Sequence, residues 1–111
     1  MGAFVKGDVV VVPFPFSDLS NVKRRPALVL AELTGDDVIL CQITSVNSRA
    51  DIYSVPISDQ DFSRGNLRID SNIRPNRLFT ADANIILHSP GTINSQKMTE
   101  VITKVVDIIS N

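Results

Sequence analysis

"PALVLAELTGDDVILCQITSV" occupies residues 26–46. Two runs rich in Val, Leu and Ile flank Thr34-Gly35-Asp36, the pattern of a β-hairpin. Branched side chains pack well on a pleated surface, and a glycine that accepts positive φ turns the chain between the arms. The arms are expected at 26–33 and 37–46. Upstream, "DVVVVPF" (8–14) is a further strand, and its apolar run without polar alternation means that both of its faces are covered. The segment 17–24, "SDLSNVKR", is a polar loop. Downstream, "DIYSVPI" (51–57) is a fourth, shorter strand, and 58–66 is a loop with room for one helical turn. "SNIRPNRLFT" (71–80) and "ANIILHS" (83–89) supply the remaining strands. Pro75 has no N–H to give a ladder, which predicts an edge or a bulge there. Short strands separated by turn residues predict a mainly β fold, a small barrel or sandwich.

The period changes at the end of the chain. In "NSQKMTEVITKVVDIIS" (94–110), Met98, Val101, Ile102, Val105 and Ile109 recur at helical spacing, opposite Lys97, Glu100 and Lys104. Asn94 or Ser95 is available as N-cap. One amphipathic helix therefore closes the chain and packs on the β structure. A length of 111 residues with 43% hydrophobic content makes a single domain, 1–111.

Composition also excludes several functions. Cys41 is the only cysteine and His88 the only histidine, so no internal disulfide, cysteine cluster or zinc site is expected. No cofactor is implied. Lys6 and Asp8 interrupt the N-terminus too early for a secretory signal, and no run approaches membrane-spanning length. A soluble, cytoplasmic protein is expected. The formal net charge of -1 gives no global basic field. All seven arginines nevertheless fall between Arg24 and Arg77, and arginine is the side chain whose fork fits phosphate oxygens.

The densest of that charge stands at the mouth of a strand, in "KRRPALVL" (23–30). With a two-residue turn, Thr34 pairs with Asp37, Arg25 lies opposite Val46, and Thr44 lies opposite Ala27. Arg25 and Thr44 are then diagonal neighbours on one face. A three-residue turn shifts the register by one and sends Thr44 to the other face. Sequence leaves both registers open. Other assignments are open as well. Arg25 is either a site residue or a surface cation paired with Asp18. Arg68, Arg74 and Arg77 are candidates for ion pairs with Asp61, Asp70 and Asp82. Phe14 and Phe16 either stack bases or anchor an interface.

"KGDVVVVPFPF", a polar loop, "RRPALVL", "CQITS" and "SNIRPNRLFT" follow one another at spacings that resemble the MazF/PemK family of toxin endoribonucleases, over almost the whole chain. The resemblance implies an SH3-like barrel of the CcdB/PemK type with a C-terminal helix. It also implies a growth-inhibiting homodimer, metal-independent cleavage of single-stranded RNA, and a cognate antitoxin with which the toxin binds DNA. By the same resemblance Arg25 and Thr44 are catalytic. Arg74 matches an arginine used in RNA binding or catalysis, with Arg24, Ser45, Asn76 and Arg77 as neighbours in that role and Phe16 and Asp18 as loop candidates. The family often carries an acid where this chain has Asn76. Some members have a histidine in the loop after the first strand, and none stands here.

The chemistry itself is independent of the resemblance. RNA brings its own nucleophile, the 2'-hydroxyl. A ribonuclease using it has to hold that oxygen in line with the phosphorus, neutralise charge on the phosphorane oxygens, and move protons. A planar guanidinium suits the second task. A protein-binding toxin of the gyrase-poison type and a family member that has lost catalysis are the competing readings. An acidic, disordered segment that folds on binding is the antitoxin chemistry that a positive groove would accept.

Overall fold

The computed structural model describes residues 4–14, 23–46 and 51–111. Phe16 and Asp18 lie outside them. Within them the chain forms β1 (Asp8–Phe14), β2 (Lys23–Glu32), β3 (Asp37–Ser45), β4 (Val55–Ile57), β5 (Phe62–Gly65), β6 (Ser71–Asp82), β7 (His88–Ile93) and α1 (Ser95–Ser110). Short 3-10 turns occupy Asp59–Asp61 and Ala83–Ile85. All pairings are antiparallel, in the order β4-β6-β3-β2-β1-β7-β5.

The sheet is rolled. Residues of its two edge strands, Val55 and Ile57 of β4 and Phe62 of β5, share one hydrophobic cluster with Val9, Leu28, Cys41, Ile43, Ile73 and Ile93. A flat sheet could not bring its edges to a common core. The curl leaves one open side, and α1 closes it with Met98 and Val101, while Ile102 and Val105 pack alongside. A second cluster, built on Val10, Val12, Ala27, Val29, Val38, Leu40 and Ile86, covers the opposite face. Hence the unbroken apolar run of β1: Val9 faces one core, and Val10 and Val12 the other. The result is the mainly β, barrel-like fold with a closing helix that the sequence predicts. No helix among the described residues is long and apolar enough to cross a membrane.

Several boundaries differ from expectation. Residues 51–54 are a turn, because the Asp51 carboxylate accepts from the Tyr53 N–H at 2.9 Å and ties the backbone into an Asx geometry. The loop at 58–66 contains the expected helical turn, and also β5, which pairs with β7 through Phe62 opposite Ile93. "ANIILHS" is a 3-10 turn, with the Asp82 side chain accepting from the Asn84 N–H, and the strand begins only at His88. The helix is capped by Asn94, whose side chain accepts from the Lys97 N–H at 2.8 Å. Its stripe buries Met98 and Val101 but leaves Ile109 71% exposed.

That division predicts unequal costs for truncation. Leu28→Ala, at a fully buried position, is expected to lose about 2 to 5 kcal/mol of stability. Ile109→Ala should change it by no more than about 0.5 kcal/mol. Urea unfolding of the two variants checks both values.

Candidate functional site

The register of β2 against β3 decides which side chains meet. Leu33 N–H donates to the Asp37 carbonyl at 2.9 Å and Glu32 stands opposite Val38, so the turn has three residues, Thr34 to Asp36. Gly35 supplies the left-handed residue such loops require, with φ 82°. Taken alone this turn would carry Thr44 away from Arg25. A second irregularity reverses it: Glu32–Val38 and Ala31–Ile39 give way to Val29–Leu40, leaving Leu30 as the extra residue of a bulge. Two shifts of one residue cancel in face. The ladder ends at Ala27–Gln42, next to Pro26, and strand alternation from that pair puts Arg25 and Thr44 on the same face.

Arg25 and Thr44 line one open cleft of about 420 Å³, with Arg24, Gln42, Ser45 and Ser71 supplying polar groups to it. Leu67 and Ile69 form an apolar wall. Arg68 between them takes φ 67°, the only non-glycine residue in the left-handed region among those described. Arg24 is exposed and Arg25 half-buried. The Arg25 Nε is buried and has no hydrogen-bond partner among the described residues. A buried donor left unmade on a charged group costs about 1 to 3 kcal/mol or more.

A second arginine approaches Thr44 from β6. Between Ile43–Ile73 and Cys41–Leu78, β3 spends one residue and β6 spends four, Arg74 to Arg77. Pro75 makes this excursion cheap because it has no ladder N–H to lose, and the bulge is the one its position predicts. The buried Cys41 thiol donates to the Arg74 carbonyl at 2.9 Å and holds the excursion to β3. Burial pushes that thiol up to about 12, so it stays protonated and inert. Arg74 is only 4% exposed. Its Nη2 donates to Asp51 Oδ2 at 2.8 Å and its Nη1 to Thr44 Oγ1 at 3.4 Å. Asn76 Nδ2 donates to the same Asp51 oxygen at 3.2 Å.

The expected arginine pairings are therefore corrected. Arg74 is neutralised by Asp51 rather than by Asp61, Asp70 or Asp82, because the turn at 51–54 lies beside the excursion of β6. Asp61 turns to Lys97 at 3.8 Å. Arg77 is exposed and does not line the cleft, and His88 is exposed at the start of β7. Among the described residues, no group of three His, Cys, Asp or Glu side chains is placed to hold a metal ion. Asp51 is the residue that sequence reasoning passed over. Its only local signal is Asp-x-x-Ser, a turn pattern, and its approach to Arg74 across 23 residues leaves no trace in the sequence.

The profile of the PemK-like, MazF-like toxins of type II toxin-antitoxin systems matches residues 5–109. Among curated proteins, none is similar enough in sequence to match. Similar solved structures include an endoribonuclease in complex with its cognate antitoxin from a mycobacterial species, with TM-score 0.76 and 13% identity over 97% of this chain and 96% of the other. A chain of a MazE-MazF crystal structure from Deinococcus radiodurans aligns with TM-score 0.77 and 17% identity over 96% of each chain. The Mycobacterium tuberculosis toxin MazF-mt6 aligns with TM-score 0.70 and 16% identity over 93% of this chain and 96% of its own. At such identities the likeness is one of fold.

The Asp51 network makes a pH prediction. The Arg74 guanidinium, followed by the Tyr53 N–H and the Asn76 amide, holds the Asp51 carboxyl down at about 2 against an ordinary 3.8. A depressed carboxyl stabilises the fold fully above its unfolded value, and the contribution is lost as pH falls through the folded one. The stability advantage of the wild type over Asp51→Asn should thus be constant above pH about 4 and shrink toward pH about 2. Urea unfolding of both proteins across that range measures it.

Proposed function

Because the chain belongs to the family of PemK-like, MazF-like toxins of type II toxin-antitoxin systems, we propose that it is an endoribonuclease cutting single-stranded RNA. The observation that carries this reading is the Arg25 guanidinium, half-buried in an open cleft with its Nε unpartnered among the described residues and Thr44 beside it. Such a donor set is complementary to a phosphate diester, and among the described residues no carboxylate lines the same cleft. Attack of the RNA 2'-oxygen on phosphorus breaks the bond to the 5'-oxygen. The 2'-hydroxyl loses its proton, the departing 5'-oxygen gains one, and the ends are a 2',3'-cyclic phosphate and a 5'-hydroxyl. Arg25 stabilises the charge that gathers on the non-bridging oxygens, where preorganised donors act most strongly. Thr44 donates a further hydrogen bond to those oxygens.

The route uses the nucleophile of the substrate and draws on no metal. Arg24, on the rim of the same cleft, binds flanking phosphates, and Ser45 orients the strand. The neighbouring toxin structures that contain antitoxins support a cognate antitoxin for this chain. The apolar side chains left open on α1, Val106 at 50% and Ile109 at 71%, support a homodimer.

Incubation of the protein with a long single-stranded RNA in excess chelator should give discrete fragments with 5'-hydroxyl ends. Arg25→Ala is expected to slow cleavage on the order of 100- to 1000-fold with the fold intact by circular dichroism. Intact RNA with the wild type, or cleavage indifferent to Arg25→Ala, would contradict the proposal and favour a protein-binding toxin.

A further inference from the structure

Asp51 accepts from four donors at once. Oδ1 takes the Tyr53 N–H at 2.9 Å and the Ser54 hydroxyl at 3.2 Å, and Oδ2 takes Arg74 Nη2 at 2.8 Å and Asn76 Nδ2 at 3.2 Å. A carboxylate has about four lone-pair directions. All of them are spoken for, so Asp51 has no acceptor left for the proton of a 2'-hydroxyl. Its effect has to pass through the groups it holds.

Arginine donates and never accepts. At the contact between Arg74 Nη1 and Thr44 Oγ1, the threonine oxygen is therefore the acceptor, and its own proton is directed elsewhere. Thr44 lines the cleft beside Arg25. The contact is long at 3.4 Å, as catalytic hydrogen bonds often are before substrate arrives. Resting on the endoribonuclease reading above, we infer that Asp51 is a positioning residue for RNA cleavage, anchoring Arg74 so that the Thr44 hydroxyl is left as a donor to the scissile phosphate. The buried Arg74 cation would lose its counter-ion without Asp51 and would swing toward solvent. Thr44 would then be free to turn its proton away from the cleft. The depressed Asp51 carboxyl agrees with this role, since the anchor keeps its charge at any pH where RNA is handled.

The test is steady-state cleavage of one single-stranded RNA by wild type, Asp51→Asn, Thr44→Ala, the Asp51→Asn/Thr44→Ala double variant, and Asp51→Asn/Asn76→Asp. Asp51→Asn should lower kcat on the order of 10- to 100-fold, the usual size for loss of a group that orients a reacting one, with KM little changed. In the Thr44→Ala background the same substitution should have no further effect, because the hydroxyl it serves is gone. Asp51→Asn/Asn76→Asp, which moves the carboxylate across the 3.2 Å contact, should recover most of kcat, and it decides the matter should Asp51→Asn alone fail to fold. An undiminished kcat in folded Asp51→Asn, or an equal loss with and without Thr44, would overturn the inference while leaving the ribonuclease standing. A wild type that leaves RNA intact would overturn the ribonuclease reading, and the inference would fall with it.

Discussion

Side chains on a β-strand alternate between faces, so a one-residue slip moves every one of them to the wrong side. The cleft of this protein depends on where three register shifts fall, two of one residue and one of three. The three-residue turn at Thr34 to Asp36 makes the first and the Leu30 bulge the second, and together they return Thr44 to the side of Arg25. The third is the excursion of β6 at Arg74 to Arg77, which releases Arg74 from the ladder and lets it reach Asp51 and Thr44. The two hydrophobic clusters require the same registers. Leu28, Cys41 and Ile43 meet in one, and Ala27, Val29 and Leu40 in the other. Core packing and site assembly are one constraint, and a slip that spoiled the site would also expose the core.

Two arginines converge on Thr44 with opposite electrostatic histories. Arg74 is nearly buried and is matched by Asp51, so its charge is balanced within the protein. Arg25 has no ion pair among the described residues and lines the open cleft. On the proposed reading the first holds geometry and the second receives an anion. On that same reading, a protein with a net charge of -1 binds a polyanion through local arrangement rather than a basic field. On-rates should then respond to salt less steeply than in a protein with a broad positive surface.

Much of this was legible in the sequence, and the rest was hidden for physical reasons. The β-branched runs 8–14 and 37–46 and the 3.6-residue period after Asn94 fixed the strands and helix well, because burial acts on local pattern. Arg25 and Thr44 were singled out at a strand entry and on the next strand, and their catalytic roles came only from the family resemblance. Their relative position was not, because the parity of the hairpin depends on the Leu30 bulge and nothing in "ALVLAE" marks Leu30 over its neighbours. Pro75 announced the third slip through its missing N–H. The strand expected at 51–54 failed because Ile52 and Tyr53 have strand propensity while the Asp51 side chain caps the backbone into a turn. The same turn hid Asp51, whose partner Arg74 is distant in the chain and near only after β3 and β6 pair.

The central claim is that the Arg25 guanidinium is the phosphate contact. The direct measurement is the arginine Nε–H spectrum by nuclear magnetic resonance, assigned with Arg25→Lys, before and after adding single-stranded RNA carrying 2'-O-methyl groups. Such RNA has no free nucleophile and binds without being cut. The account predicts a large downfield displacement of the Arg25 Nε–H with RNA and a much smaller change at Arg74, already held by Asp51. An Arg25 signal that stays in place while RNA is bound would contradict it, and would mean that the cleft between β2 and β3 is not where the backbone of RNA lies.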